Sequence, residues 1–152
     1  MNRRLFLALS ALAGATASLR AAAQQKFQPA QDITPLLNDL THGVKPQQGG
    51  IDIELPQIAE NGNSVPLHMK IASPMTIDDH VAALYVIAER NPRPLVATFH
   101  LGPEAGRADV STRIRLAGTQ KLTVLAELSG GRFLVNQADV LVTSAACMDD
   151  SL

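Results

Sequence analysis

The sequence has no tryptophan, one tyrosine and one cysteine. Four phenylalanines are the only other aromatic residues, so any core has to be built from Val, Ile, Leu and Ala. A single domain of 152 residues can assemble one. A single cysteine excludes an internal disulfide. With 13 basic and 14 acidic residues the formal charge is −1. Its bases and aromatics are too scattered to give stacking platforms in a basic groove, which excludes a nucleic-acid surface. Gly49-Gly50 and Gly130-Gly131 lack the strand–loop–helix setting that phosphate binding needs, and read as turn glycines. No nucleophile-elbow motif is present. His42, His68, His80 and His100 have no short ligand spacing to one another or to a cysteine, so no metal and no cofactor are expected. They read as surface or strand-edge histidines. Asp78-Asp79 and Asp149-Asp150 are adjacent pairs. Neighbours on an extended chain point opposite ways, so neither pair suits acid/base work.

What is present begins with an export signal over residues 1–23. Arg3-Arg4 followed by Leu5-Phe6-Leu7 resembles the twin-arginine motif. The apolar run that follows is Ala- and Gly-rich and too short to cross the roughly 30 Å bilayer core. Arg20 precedes Ala21-Ala22-Ala23, and cleavage is expected after Ala23, with Ala17 as the weaker site. Removal takes the basic count from 13 to 10 against 14 acidic residues, a formal charge of −4. The destination is then the periplasm.

Residues 24–50 read as a connector with one short helix from Asp32 to about Leu40. Thr34 would cap it, Pro35 suits its first turn and Gly43 its exit. Lys45 to Gly50 reads as a loop. From residue 51 the period becomes two. Ile51, Ile53 and Leu55 alternate with Asp52 and Glu54. Val65, Leu67, Met69 and Ile71 alternate with Pro66, His68 and Lys70, with Pro66 marking an edge or a strand start. Further strands are predicted over His80–Ala88, Val96–Leu101, Val110–Leu116 and Leu122–Leu128. Ser129-Gly130-Gly131 is a hairpin turn. Phe133 and Val135 follow it, and Asp139–Thr143 closes the set. Seven or eight short strands with regular turns over 51–143 predict an all-β, immunoglobulin-like antiparallel sandwich, without the Cys–Trp–Cys core of antibody domains. The edges of such a small open sandwich invite covering by another chain.

Residues 144–152 form a tail that carries Cys147. In an oxidising compartment a lone cysteine is buried and inert, joined to another chain, or free and reactive. A chain end past the last strand is usually mobile and accessible, which favours the reactive option. Asp149 and Asp150 disfavour the thiolate, so a moderate nucleophile or passive carrier fits better than a highly activated thiol.

Three stretches carry a resemblance. Leu55-Pro56-Gln57-Ile58-Ala59-Glu60-Asn61-Gly62-Asn63-Ser64-Val65-Pro66 is the most telling. Asn91-Pro92-Arg93-Pro94 and Arg113-Ile114-Arg115-Leu116-Ala117, with Thr119-Gln120 after it, complete the set. In this order they resemble SoxY, the sulfur-carrier subunit of the bacterial thiosulfate-oxidising system. The resemblance implies an immunoglobulin-like sandwich in a heterodimer with a SoxZ-type subunit. It also implies that Cys147 is the covalent sulfur-carrier residue. A c-type cytochrome enzyme would join thiosulfate to it oxidatively, a hydrolase would release sulfate, and the carrier itself would be no enzyme. The family's cysteine lies in a Gly-Gly-Cys-Gly-Gly arm. Here Ala145-Ala146 precede Cys147 and Met148-Asp149 follow it, so the flanking glycines are missing. The alternative is a binding or assembly module of another exported pathway, in which the cysteine carries nothing.

Overall fold

A computed structural model describes residues 28–146. The expected export signal, Cys147 and the rest of the tail lie outside the described residues. A short helix, α1 (Thr34–Thr41), comes first. It is followed by β1 (Gln47–Gln48), β2 (Ile51–Glu54), β3 (Ile58–Ala59), β4 (Val65–Ile71) and β5 (Val81–Ala88). Then come β6 (Leu95–His100), a 3-10 turn at Pro103–Ala105, β7 (Ala108–Ile114), β8 (Gln120–Leu128) and β9 (Arg132–Val142).

The strands form two sheets. One has the order β1-β9-β8-β5-β6, with β3 also paired to β9; the other has the order β2-β4-β7. The strand alternation read from the sequence sets which side faces inward. Val65, Leu67, Met69 and Ile71 are 0–4% exposed, while Pro66 and Lys70 between them are exposed. They meet Leu84, Val86, Leu122, Val124 and Ala126 of the larger sheet in one core. A register shift between Val81 and Ala83 changes the parity of β5, so that Val81 and Leu84 both join that core. Each large aliphatic side chain buried there contributes about 1.5–3 kcal/mol. The β8–β9 hairpin turns at Gly130 and Gly131, whose φ of 81° and 73° suit glycine.

Four expectations need correction. Thr34 does not cap α1. The cap position is Ile33, and the Asp32 carboxylate accepts the Thr34 amide at 2.9 Å. Hydrogen bonding from Thr34 holds the Asp32 carboxyl below its ordinary value. The helix exit is His42 in the left-handed region, with Gly43 following it in the same region. Part of the predicted 45–50 loop is strand, because Gln47 and Gln48 pair in parallel with Leu134 and Val135. The two segments predicted after the hairpin are one continuous strand of 11 residues. Pro66, expected at an edge or a strand start, is the second residue of β4, near the start of a strand that is paired on both sides, with Glu54–Ile51 and with Ala108–Ile114.

The larger sheet is buried on its second face as well. Ala83, Ile87, Thr123, Leu125 and Phe133 are 0–4% exposed, yet they lie outside the inter-sheet core. The segment containing α1 is tethered at both of its ends. Gln31 donates its amide to Glu89 O at 2.8 Å, and Gly49 donates to Val135 O at 2.8 Å. The free edge of β9 is likewise covered by its own chain, through the parallel pairings of β1 and β3.

Candidate functional site

The end of the sandwich from which the tail leaves is built from the stretches singled out in the sequence. β9 ends at Val142, and the chain then runs beside the 59–62 segment. Thr143 donates its amide to Ala59 O at 3.0 Å and its hydroxyl to Glu60 O at 2.9 Å. Gly62 donates to Ser144 O at 2.7 Å, Leu116 donates to Gly62 O at 2.8 Å, and Ala146 donates to Leu116 O at 3.1 Å. These three bonds close a ring of backbone through residues 62, 116, 144 and 146. Ala146 is 7% exposed and Leu116 fully buried. The tail expected to leave the sandwich freely after residue 143 is therefore held through residue 146.

Gly62 has its place for lack of volume. A Cβ there would run into Leu116 O and lie 2.8 Å from Ala146 N. Its φ lies outside the left-handed region, so the demand is for space rather than for an unusual backbone.

Asn91 fixes the other side of the ring. Its Nδ2 donates to Arg115 O at 2.8 Å, and its Oδ1 accepts from Ala117 N at 2.9 Å and from Gln120 Nε2 at 3.1 Å. Both side chains are buried, at 5% exposure each. Gln120 Oε1 in turn accepts the Arg90 amide at 2.9 Å. A buried amide with all these partners satisfied is a rigid strut. It holds the residues on both sides of Leu116, whose carbonyl receives the tail. The sequence singled out Asn91 only as the first residue of the Asn91-Pro92-Arg93-Pro94 stretch. Its role depends on partners 24 to 29 positions away, which no local pattern encodes.

A second polar cluster lies on the outer face of the smaller sheet. Glu54 is the direct cross-strand partner of His68, and Asp109 is diagonal to it. Contacts run from His68 Nδ1 to Glu54 Oε2 at 3.0 Å and from Nε2 to Asp109 Oδ1 at 2.6 Å. An ionised carboxylate only accepts, so both ring nitrogens must donate and the charged imidazolium is favoured. The hydrogen bonds to Glu54 and then Asp109 hold the His68 pKa above its ordinary value. The bond to His68 holds Asp109 below its own. His68 is thus a bridge on a middle strand and not a strand-edge residue. Its stabilising contribution is complete below the unfolded histidine pKa of about 6.5 and is lost as pH rises through the raised value. That of Asp109 is present above the unfolded carboxyl value and lost as pH falls through the lowered one. His68→Gln is expected to flatten the dependence of the melting temperature on pH above neutrality. An NMR titration of the His68 ring should give a midpoint above 6.5, and an ordinary midpoint would refute the bridge.

The other histidines are apart from this cluster. His42 ends α1, His80 Nδ1 lies 3.0 Å from Thr76 O, and His100 ends β6. Among the described residues no three His, Cys, Asp or Glu side chains are grouped to hold a metal ion. No helix among them is long and apolar enough to cross a membrane.

Fold and site together define an immunoglobulin-like β-sandwich whose C-terminal extension is fastened to one end immediately before a cysteine. The family described as "Sulfur oxidation protein SoxY" matches residues 38–147. The chain belongs to the SoxY family of sulfur oxidation proteins. It is similar to the solved structure of the sulfur carrier protein SoxY from Chlorobium limicola f thiosulfatophilum. The two are 29% identical over 73% of this chain and 96% of that one, with a TM-score of 0.60. The fold is also shared with superoxide reductase (neelaredoxin) from Ignicoccus hospitalis, at 14% identity over 62% of this chain and 80% of that one, TM-score 0.54. A putative superoxide reductase from Thermotoga maritima is 14% identical over 79% and 97% of the two chains, TM-score 0.53. No curated protein matches the sequence.

Proposed function

We infer that this protein is a covalent sulfur carrier, exported to the periplasm by the twin-arginine route, that holds a sulfur intermediate on Cys147 while separate enzymes act on it. One observation carries this reading: the family match runs through the fastened tail and ends on Cys147, the sole cysteine of the sequence. The similar SoxY of Chlorobium limicola is itself described as a sulfur carrier protein.

The chemistry asks little of the carrier beyond a reachable thiol. When thiosulfate joins it, one S–S bond forms, the thiol proton leaves, and two electrons pass to an acceptor. A c-type cytochrome enzyme is the expected acceptor. Water then attacks the terminal sulfonate sulfur with the help of a hydrolase. Sulfate departs and a persulfide stays on the cysteine. A dehydrogenase would then oxidise the outer persulfide sulfur to a sulfonate, taking three oxygens from water and passing on six electrons, and a second hydrolysis would release sulfate and restore the thiol. Each bond change is then made by a separate enzyme, so the carrier needs no catalytic constellation of its own. A SoxZ-type subunit is the expected partner. The outer edge strand β6, with Leu95 and Thr98 exposed, supports covering by a second chain.

The test is the mass of the intact chain, purified with its partner, after incubation with thiosulfate and a matching oxidising cytochrome. An adduct on the wild type that is absent from Cys147→Ser is expected. Equal adducts on both chains, or none on the wild type, would overturn the carrier reading in favour of an assembly module.

A further inference from the structure

We propose that the apolar pair Ile58 and Leu141, with the cleft beside it, is the docking surface for the enzyme that loads the carrier. The proposal rests on the carrier reading and adds the surface by which the loading enzyme recognises this protein.

Single exposed aliphatic residues are ordinary surface. Val44, Ile77 and Leu95 are of that kind, two in connections and one on the outer edge strand of the larger sheet. Ile58 and Leu141 differ. They are 63% and 47% exposed and are register partners in the parallel β3–β9 pairing, so their side chains are neighbours on one face. Alternation sets the direction of Leu141. Val140 and Val142 on either side of it are buried in the inter-sheet core, which turns Leu141 outward. Backbone bonds hold Ile58 beside it. Gln57 O accepts the Leu141 amide at 2.9 Å, and Ala59 O accepts that of Thr143 at 3.0 Å. The pair is preorganised, so covering it costs little ordering.

A cleft of about 630 Å³ opens next to the pair, lined by Gln57, Thr119, Lys121, Asp139 and Leu141. Lys121 and Asp139 are direct partners across β8 and β9, so their opposite charges balance. An apolar centre with a polar rim is the anatomy of a protein contact.

Size and place select the occupant. Two aliphatic side chains and their rim fall well short of the roughly 800 Å² per partner that a stable complex buries. A patch of this size suits a transient encounter, the class to which electron-transfer contacts belong. Loading passes two electrons to the enzyme that performs it. The patch also adjoins the segment Thr143–Ala146, which runs beside residues 59–62 and leads to the carrier residue in the sequence. A permanent subunit needs more area, and the open β6 edge lies on the far side of the larger sheet from β9. The enzyme surface that fits presents an apolar side chain flanked by one acid and one base. Because the rim carries no net charge, the contact is nearly insensitive to salt.

The test measures the rate of adduct formation on the exported chain, purified with its partner, at rising carrier concentration with the oxidising cytochrome fixed and thiosulfate saturating. Ile58→Ser and Leu141→Ser are each expected to raise the KM for the carrier about tenfold, the effect of one aliphatic side chain withdrawn from a contact, with kcat unchanged. Ile77→Ser, exposed but outside the cleft, is expected to stay within about twofold of the wild type. Iodoacetamide should label Cys147 at one rate in all these chains. Should a serine variant fail to fold, Lys121→Glu keeps the apolar pair and gives the rim a net charge, and is expected to make the KM salt-dependent where that of the wild type is not. An unchanged KM in the Ile58→Ser, Leu141→Ser double variant would overturn the proposal. So would an equal rise for Ile77→Ser, a loss in kcat alone, or a wild-type KM that climbs steeply with salt. If the wild type forms no adduct, the carrier reading fails, and titration of the same cytochrome onto Cys147→Ser decides the docking surface. Binding weakened about tenfold by Leu141→Ser supports it, and equal binding, or none, overturns it.

Discussion

Asn91→Ala is expected to lower the free energy of unfolding by about 3–5 kcal/mol, read by urea denaturation with an unchanged m-value. The side chain is 5% exposed and serves three partners in distant parts of the chain. Alanine would leave Arg115 O and Ala117 N without their bonds inside the protein. Each orphaned buried group costs about 1–3 kcal/mol. Gln120 Nε2 keeps its bond to Gly118 O at 3.2 Å, so it adds less. Asn91→Asp separates the two halves of this account. It preserves the acceptor for Ala117 but sets a carboxylate against Arg115 O. Only the protonated acid can donate there, so its deficit should shrink as pH falls towards 4. A loss below about 1 kcal/mol for the alanine variant would mean that water replaces Asn91 freely and that the strut beside Leu116 is not rigid.

Leu125→Ala is expected to cost about 2–5 kcal/mol, as much as Leu122→Ala in the inter-sheet core. Alternation along β8 puts Leu122, Val124, Ala126 and Leu128 inward and leaves Thr123, Leu125 and Glu127 for the other face. On a one-sided sheet Leu125 would be a surface residue, and its truncation would cost little. It is fully buried, along with Ile87 on the neighbouring strand, where Tyr85 completes the row. The Tyr85 hydroxyl donates to Glu127 Oε2 at 2.9 Å, and burial, followed by that carboxylate, raises the tyrosine's pKa. Thermal unfolding of Leu125→Ala beside Leu122→Ala decides the matter. Equal losses establish a second apolar layer, and a loss confined to Leu122→Ala refutes it.

Strand positions were legible because a half-buried strand writes its burial into the sequence at every second residue. The 65–71 stretch shows this most clearly. Short pairings left no such mark. Gln47–Gln48 and Ile58–Ala59 are strands only because β9 offers them an edge. Thr34 does not take its expected capping role because the Asp32 carboxylate accepts the Thr34 amide in a local side-chain-to-backbone bond that competes with a cap. The His68 bridge was invisible for a related reason. Its partners lie 14 and 41 residues away, and only the register of three strands sets them beside it.

By itself the sequence determined the sandwich class, the inward residues of most strands and the one thiol on which a carrier could depend. Each of these is carried by residue type and short-range period. The tertiary structure alone decided that the motifs around Gly62, Asn91 and Leu116 converge on one end of the molecule, and that the tail is fastened there through Ala146. Hydrogen bonds between distant stretches of backbone have no signature in composition or period. They exist only once the sheets have packed and brought those stretches within reach of one another.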